Sequence, residues 1–203
     1  MSNTSSVSDH SFSVQFGTGA ASGHLVQDSV SIAGLTVSDQ IFGACSNLTN
    51  VIEYGVSGLL GLGWQALATS EATPLVQRLW QEGQLMDPIF GFALARWNGD
   101  AAATSDVMPG GLMTIGGVNS SLFEGEINWI PLTSQTYWEI QIDAISIDSV
   151  PIELELTPVA IDTGTSLIGV PPEAAQAIYA RIPGSRRYTD VYYTFPCEYV
   201  TYV

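Results

Sequence analysis

Val159-Ala160-Ile161-Asp162-Thr163-Gly164-Thr165-Ser166-Leu167-Ile168-Gly169 decides the reading of this chain. Three apolar residues lead, as a strand, to a single carboxylate. That carboxylate sits on a Thr-Gly turn, and a second apolar run follows. Gly164 allows the backbone to bend tightly and to come close to the carboxylate. Thr163 and Thr165 can offer hydroxyl hydrogen bonds that hold it or its neighbours. The plain alternative is an Asx-type turn after a strand. Asp-Thr-Gly by itself does not separate the two, because the tripeptide arises by chance. The longer string, with its apolar flanks and the Thr-Ser after the glycine, is far rarer.

Other segments decide between them. Ser13-Val14-Gln15-Phe16-Gly17-Thr18-Gly19-Ala20-Ala21-Ser22-Gly23 resembles the flap hairpin of pepsin-like proteases, and Ile41-Phe42-Gly43 resembles the strand after it. Gly58-Leu59-Leu60-Gly61-Leu62-Gly63 is similar to the segment that passes behind that family's first catalytic aspartate. Gly116-Gly117-Val118-Asn119 and Asn128-Trp129-Ile130-Pro131-Leu132 resemble the end of its first lobe, and Tyr137-Trp138-Glu139-Ile140 the start of its second. These segments occur in the family's order and cover nearly the whole chain. The chain is therefore identified as a member of the pepsin-like (A1) aspartic proteases, of the secreted fungal type.

The resemblance implies a mostly β, bilobal fold, present here incompletely. Residues 1–133 would be a partial N-terminal lobe carrying the flap, and 134–203 a partial C-terminal lobe. It implies Asp162 as the second-lobe catalytic aspartate of a water-activating pair. Thr165 would hydrogen-bond near that pair, and Gly164 would support the substrate backbone. Phe16, Gly17, Thr18 and Gly19 would close over an extended peptide. The flap usually carries Tyr where this chain has Phe16, which keeps the apolar contact and loses a hydroxyl. The family needs two Asp-Thr-Gly-type turns, and this chain has one. In the family the first lies before the flap, and nothing in residues 1–11 resembles it. The expectation is a truncated chain, with that turn before Met1 and the closing strands beyond Val203. These 203 residues alone are then expected to be inactive.

Composition bounds the rest. Hydrophobic residues make up 46%, which argues against disorder. Twenty glycines and short apolar runs favour strands and turns over long helices. No apolar stretch reaches membrane-span length. A net charge of −15, from 20 acidic against 5 basic side chains, argues against nucleic acid as a partner. It also suits an acidic medium, because protonating the carboxylates cannot build a large positive charge. Acidity that merely keeps a surface soluble accounts for it as well. Polypeptide substrates, a monomeric full-length protein and a secreted or vacuolar location follow from the resemblance. The polar start Met1-Ser2-Asn3-Thr4-Ser5-Ser6 shows no signal peptide. Asn3, Asn47 and Asn119 head Asn-X-Ser/Thr sequences, acceptors for glycans in a secretory route.

Cys45 and Cys197 are the only cysteines. They could pair with each other or remain as buried thiols; the resemblance implies disulfides to partners outside the chain, for Cys197 one downstream. His10 and His24 have no ligand-type neighbours at metal spacing, so no metal or cofactor is expected. There is no Gly-X-Ser-X-Gly elbow and no dinucleotide or P-loop fingerprint.

Periodicity predicts a strand through Phe12, Val14 and Phe16 into a hairpin tip at Gly17-Thr18-Gly19. It predicts a long strand from Trp138 to Ile147, with a bulge or bend near Asp143-Ala144. One helix is predicted with Thr73 as cap and Pro74 in its first turn. Leu75, Val76, Leu79 and Trp80 share its face, and Gly83 ends it. A second, short helix starts near Pro172 and stops at Pro183-Gly184. Asn98 to Pro109 reads as a surface loop.

Three rival readings compete with an active pepsin-like endopeptidase. A catalytically inactive pepsin-like binding or inhibitor protein would share all these segments. A homodimeric protease with one turn per monomer would place its flap after the aspartate, and here Phe16 long precedes Asp162. A β-rich secreted binding module would leave the ordered set of family segments unexplained.

Overall fold

The computed structural model describes residues 2–52, 56–95, 110–153 and 158–197. These fall into two compact units. The first takes most of the chain up to Ile127 and adds Gln135–Tyr137; the second takes Asn128–Ser134 and the chain from Trp138 onward.

The first unit is built on a three-stranded antiparallel sheet of β1 (Ser6–Gln15), β2 (Ala20–Ile32) and β3 (Leu35–Thr49). Two residues join β2 to β3. Both Ala33 (φ 50°) and Gly34 (φ 83°) are left-handed, as a hairpin whose turn matches the strand twist requires. Val30, Ile32, Leu35 and Val37 present apolar side chains from the two arms of this hairpin to the core.

The helix α1 (Leu75–Gln81) packs on that face. Leu75, Val76 and Leu79 follow helical spacing and bury against Val37 and Leu85. Trp80, expected on the same face, is instead 44% exposed. The face is narrower than the four-residue stripe suggested, and Trp80 lies on its solvent side. Thr73 does not cap the helix. Pro74 occupies the cap position without a side-chain bond, and the Thr73 carbonyl accepts from Gln40 Nε2 (3.1 Å). Gly83 ends the helix as expected. It is left-handed (φ 70°), its N–H donates to the Trp80 carbonyl (2.9 Å), and Gln84 N–H donates to Leu79 O (2.9 Å). That pair of bonds is a Schellman cap, which only glycine enters without strain. Arg78 ties the helix to β3 by donating to Asp39 Oδ1 (2.6 Å) and to the Asp39 carbonyl (2.8 Å). The Asp39 carboxylate pushes the Arg78 guanidinium further above its ordinary value.

Two further strands, β4 (Phe90–Leu94) and β5 (Gly111–Ile115), form a hairpin whose ends Phe90 and Ile115 cover the same core. The loop expected over Asn98 to Pro109 lies outside the described residues. Near the chain start, Ser2 Oγ donates to Asp28 Oδ2 (2.7 Å) and Thr4 Oγ1 to Asp28 Oδ1. These hydroxyls, Thr4 first, hold the Asp28 carboxyl below its usual range. The tie is therefore fully present above the ordinary Asp range and is lost as pH falls through the folded-state pKa.

In the second unit, β6 (Leu132–Gln135), β7 (Trp138–Ile140) and the later β10 (Val159–Ala160) make one sheet, in the order β10-β7-β6. The boundary expected at 133/134 falls inside β6. The single long strand expected from Trp138 to Ile147 does not form. Residues 141–145 separate β7 from β8 (Ser146–Ile147), which pairs with β9 (Val150–Pro151) in a sheet of its own. The phase change near Asp143-Ala144 marks a change of sheet, not a bulge. Asp148 (φ 50°) and Ser149 (φ 63°) make the two-residue turn between β8 and β9, without glycine.

β10 (Val159–Ala160) pairs antiparallel with β7, Val159 opposite Ile140 and Ala160 opposite Glu139. The helix α2 (Pro172–Tyr179) carries Pro172 in its first turn, where the missing N–H costs nothing. Gly184 (φ 71°) turns the chain beyond it. β11 (Arg186–Arg187) and β12 (Tyr193–Thr194) follow as a hairpin. The Tyr193 ring stacks on Tyr179 at 4.5 Å, joining hairpin to helix.

The disulfide expectation is corrected. Cys45, on β3, and Cys197 are both free and exposed, and the sequence holds no third thiol. Among the described residues, no helix is long and apolar enough to cross a membrane.

Candidate active site

The site residues expected from sequence fall into two groups, one in each unit. In the second unit, β10 delivers Asp162. Ile161 N–H donates to the Trp138 carbonyl (2.9 Å), so the ladder continues to the residue before the carboxylate. The turn is then written by the carboxylate itself. Gly164 N–H donates to Asp162 Oδ1 (2.8 Å), and Thr165 Oγ1 donates to Asp162 Oδ2 (2.6 Å). Thr165 N–H reaches back to the Asp162 carbonyl (3.3 Å). Both carboxylate oxygens are thereby oriented, one by the Gly164 N–H and the other by the Thr165 hydroxyl. Of the two threonines, Thr165 supplies this hydroxyl.

Gly164 favours the close approach of the backbone to the carboxylate. A Cβ there would stand 3.2 Å from Asp162 Oδ1, crowding the oxygen that its own N–H holds. Asp162 is exposed, and so are its apolar neighbours Ile161 and Leu167; Ile168 is 91% exposed. This is a carboxylate displayed at a strand end with apolar surface around it.

In the first unit, β1 and β2 form the expected hairpin, with Gln15 opposite Ala20 as its last pair. Phe16, Gly17, Thr18 and Gly19 make the tip. Phe16 N–H donates to the Gly19 carbonyl (2.7 Å). Phe16 is exposed, with an apolar ring and no hydroxyl. Gly19 is buried beneath the tip. A Cβ there would lie 2.3 Å from the Thr49 carbonyl oxygen and 2.5 Å from that of Asn50. Gly19→Ala is therefore expected to push the tip off the end of β3, at a cost of about 2 kcal/mol, typical of forcing an extra group into a packed site. Thermal denaturation of the variant checks this; an unchanged midpoint would show that the tip has room.

Sequence reasoning missed Gln15. Its Nε2 donates to both Phe16 O (3.0 Å) and Gly19 O (2.9 Å), spanning the tip. The only signal was a carboxamide placed immediately before the turn. The Gly58–Gly63 segment runs without helix or strand past an apolar cavity of about 620 Å³, lined by Ile41, Phe42, Leu59, Leu60 and Leu67 among others. Among the described residues, no group of three or more His, Cys, Asp and Glu could hold a metal ion.

An antiparallel flap-like hairpin and an Asp-Thr-Gly turn at a strand end define a mostly β protein of the pepsin-like bilobal class. One solved relative, the aspartic proteinase from Irpex lacteus, superposes with a TM-score of 0.75 at 27% identity, covering 88% of this chain and 53% of that one. Residues 1–202 match the family described as eukaryotic aspartyl protease, and the chain belongs to that family. It is 38% identical over 205 residues to major aspartyl peptidase 1 of Cryptococcus neoformans var. grubii, covering 94% of this chain and 42% of that protein. It is 34% identical over 188 residues to pepsin A of Rhinolophus ferrumequinum, covering 91% and 46%. The chain thus spans a little under half the length of these curated relatives.

Proposed function

We propose that the protein is an aspartic endopeptidase in which Asp162 supplies one carboxylate of a catalytic pair. The observation that carries this is the Asp162 turn, where Gly164 N–H and Thr165 Oγ1 fix the two carboxylate oxygens separately. Two carboxylates held about 3 Å apart share one proton, since both cannot readily ionise; aspartic proteases are the type case. The ionised member takes a proton from a bound water, which attacks the peptide carbonyl. The protonated member donates to the carbonyl oxygen. The two roles belong to the pair, not to either residue.

The sequence contains a single Asp-Thr-Gly, so the other carboxylate comes from outside these 203 residues. A lone Asp162 cannot act as base and acid at once. A polypeptide of these residues alone is therefore expected to leave denatured protein uncut at acidic pH. Cleavage by it that an aspartic protease inhibitor blocks would overturn this and point to a dimer. The apolar cavity beside Gly58–Gly63 is where the first-lobe aspartate turn would pack.

The remaining assignments follow the same family logic. Residues 1–133 and 134–203 would be parts of the two lobes. Phe16 to Gly19 would close over an extended polypeptide, exclude water and offer backbone hydrogen bonds. Gly164 would support the substrate backbone. The full-length protein would act as a monomer, without nucleic acid or metal, in a secreted or vacuolar setting. Two relatives are named as vacuolar proteases, from Candida albicans and Neurospora crassa. Asn3, Asn47 and Asn119 are all exposed and would accept glycans there.

Phe16→Tyr in the full-length enzyme should raise kcat severalfold, because one hydrogen bond is worth about 1 kcal/mol. Steady-state kinetics on one peptide substrate checks this; an unchanged or lower kcat would mean the site has adapted to Phe. An inactive binding protein is the competing function. Acid cleavage of a denatured protein by the full-length chain, lost on Asp162→Asn, tests the proposal against it; no cleavage would favour the binder.

A further inference from the structure

We infer that Gln15 is a positioning residue that holds the flap tip in its closed-turn shape, and that its carboxamide must be a donor to do so. The inference rests on the reading of Phe16–Gly19 as a substrate-covering flap.

The geometry is specific. The two-residue turn Gly17-Thr18 is bracketed by Phe16 and Gly19. Phe16 N–H already donates to Gly19 O at 2.7 Å. Gln15 Nε2 adds a second donor to that same carbonyl (2.9 Å) and one to Phe16 O (3.0 Å). The two hydrogens of one amide nitrogen thus bind the two carbonyls that flank the turn. Two acceptors converging on one atom also fix the orientation of the amide, because Oε1 in that place would face two oxygens. No other side chain at the tip supplies such a bond among the described residues. Gly17 lies in open space, and Thr18 is exposed. The tip therefore depends on Gln15 from below and on the close fit of Gly19 over β3.

A glutamate at this position has a pH-dependent ability to substitute. Protonated, it offers one O–H donor. Ionised, it is an acceptor only and would face the Phe16 and Gly19 carbonyls. An ordinary Glu titrates near about 4.3, and two facing oxygens raise that value by disfavouring the charged form. Gln15→Glu should thus work at low pH and fail as pH rises, whereas Gln15→Leu should fail at every pH.

The test compares full-length wild type, Gln15→Leu and Gln15→Glu on one peptide substrate across the acidic range. Circular dichroism confirms that each folds, which the exposed position of Gln15 favours. Gln15→Leu should lose about tenfold in kcat/KM throughout, the order of one or two lost hydrogen bonds. Gln15→Glu should stay within about threefold of wild type at the acid end and fall to the Leu level above the Glu pKa. Both variants matching wild type at all pH values, or an equal loss in Glu at all pH values, would overturn the inference. Amide exchange at Phe16, followed by mass spectrometry or NMR, is the arm independent of activity. It should quicken severalfold in Gln15→Leu, and an unchanged rate would overturn the inference. A wild-type protein that cuts nothing would defeat the protease assignment, and the exchange arm would then decide the role of Gln15 alone.

Discussion

Replacing Asp162 with asparagine in the full-length protein is expected to abolish the proposed peptide cleavage, lowering kcat by at least about 10³-fold, within the range expected for removing a positioned acid–base group. The fold survives the change. The asparagine side chain would keep an oxygen for the Gly164 N–H, which is the 2.8 Å bond that shapes the turn. Its amide could face the Thr165 hydroxyl in place of the second carboxylate oxygen. What it cannot do is ionise or share a proton with a partner carboxylate. A thermal midpoint close to that of wild type, together with lost turnover, is the expected pair of results. Near-normal turnover would remove Asp162 from the chemistry.

Leu79→Ala is expected to be the most damaging change to stability in the first unit. Leu79 is fully buried on α1, and Val37, Leu75, Val76 and Leu85 are the other buried members of its cluster. Truncating such a side chain costs about 3 kcal/mol, the lost burial plus the cavity left behind. The α1 face packs on the β2–β3 hairpin, and β2 is also one arm of the flap-like hairpin, so loosening it should raise exchange along β3 as well. Urea denaturation followed by amide exchange checks both. A loss below about 1 kcal/mol would mean that the core collapses around the missing methyls.

The features legible in the sequence were those whose residues write their own local geometry. Asp162-Thr163-Gly164-Thr165 closes on itself within four residues, so its turn could be read from the tripeptide and its flanks. The alternation of Phe12, Val14 and Phe16 into Gly17-Thr18-Gly19 specified a hairpin, and Gly83 a helix end. Several of the misses depended on a distant partner. Nothing near Trp80 shows that the α1 face is complete with Leu75, Val76 and Leu79. Thr73 gives its carbonyl to Gln40, a residue far back on β3. The break at 141–145 arises because β7 finds β6 and β10 while β8 finds β9. The Asp148-Ser149 turn is hidden because both residues take a conformation usually given to Asn or Gly. Gln15 was overlooked for a related reason. Its role lies in reaching around a turn, and carboxamides at strand ends are common. The two cysteines were assigned disulfides by resemblance, and their local sequence gave nothing against it.

The flap and the aspartate turn are the two elements on which the functional account depends. The flap tip relies on Gly19 fitting under it and on Gln15 spanning it. The turn relies on Gly164 leaving space for Asp162 Oδ1 and on Thr165 holding Oδ2. Neither set resembles a packing core. In each, polar groups are arranged around a turn or an exposed carboxylate, in keeping with the proposed role in receiving a substrate.

The most direct measurement is digestion of a denatured protein by the full-length enzyme at acidic pH, with and without a transition-state-mimicking aspartic protease inhibitor. Cleavage within polypeptide chains that the inhibitor blocks stoichiometrically is the expected result. An absence of cleavage, or cleavage that persists in the presence of excess inhibitor, would contradict it.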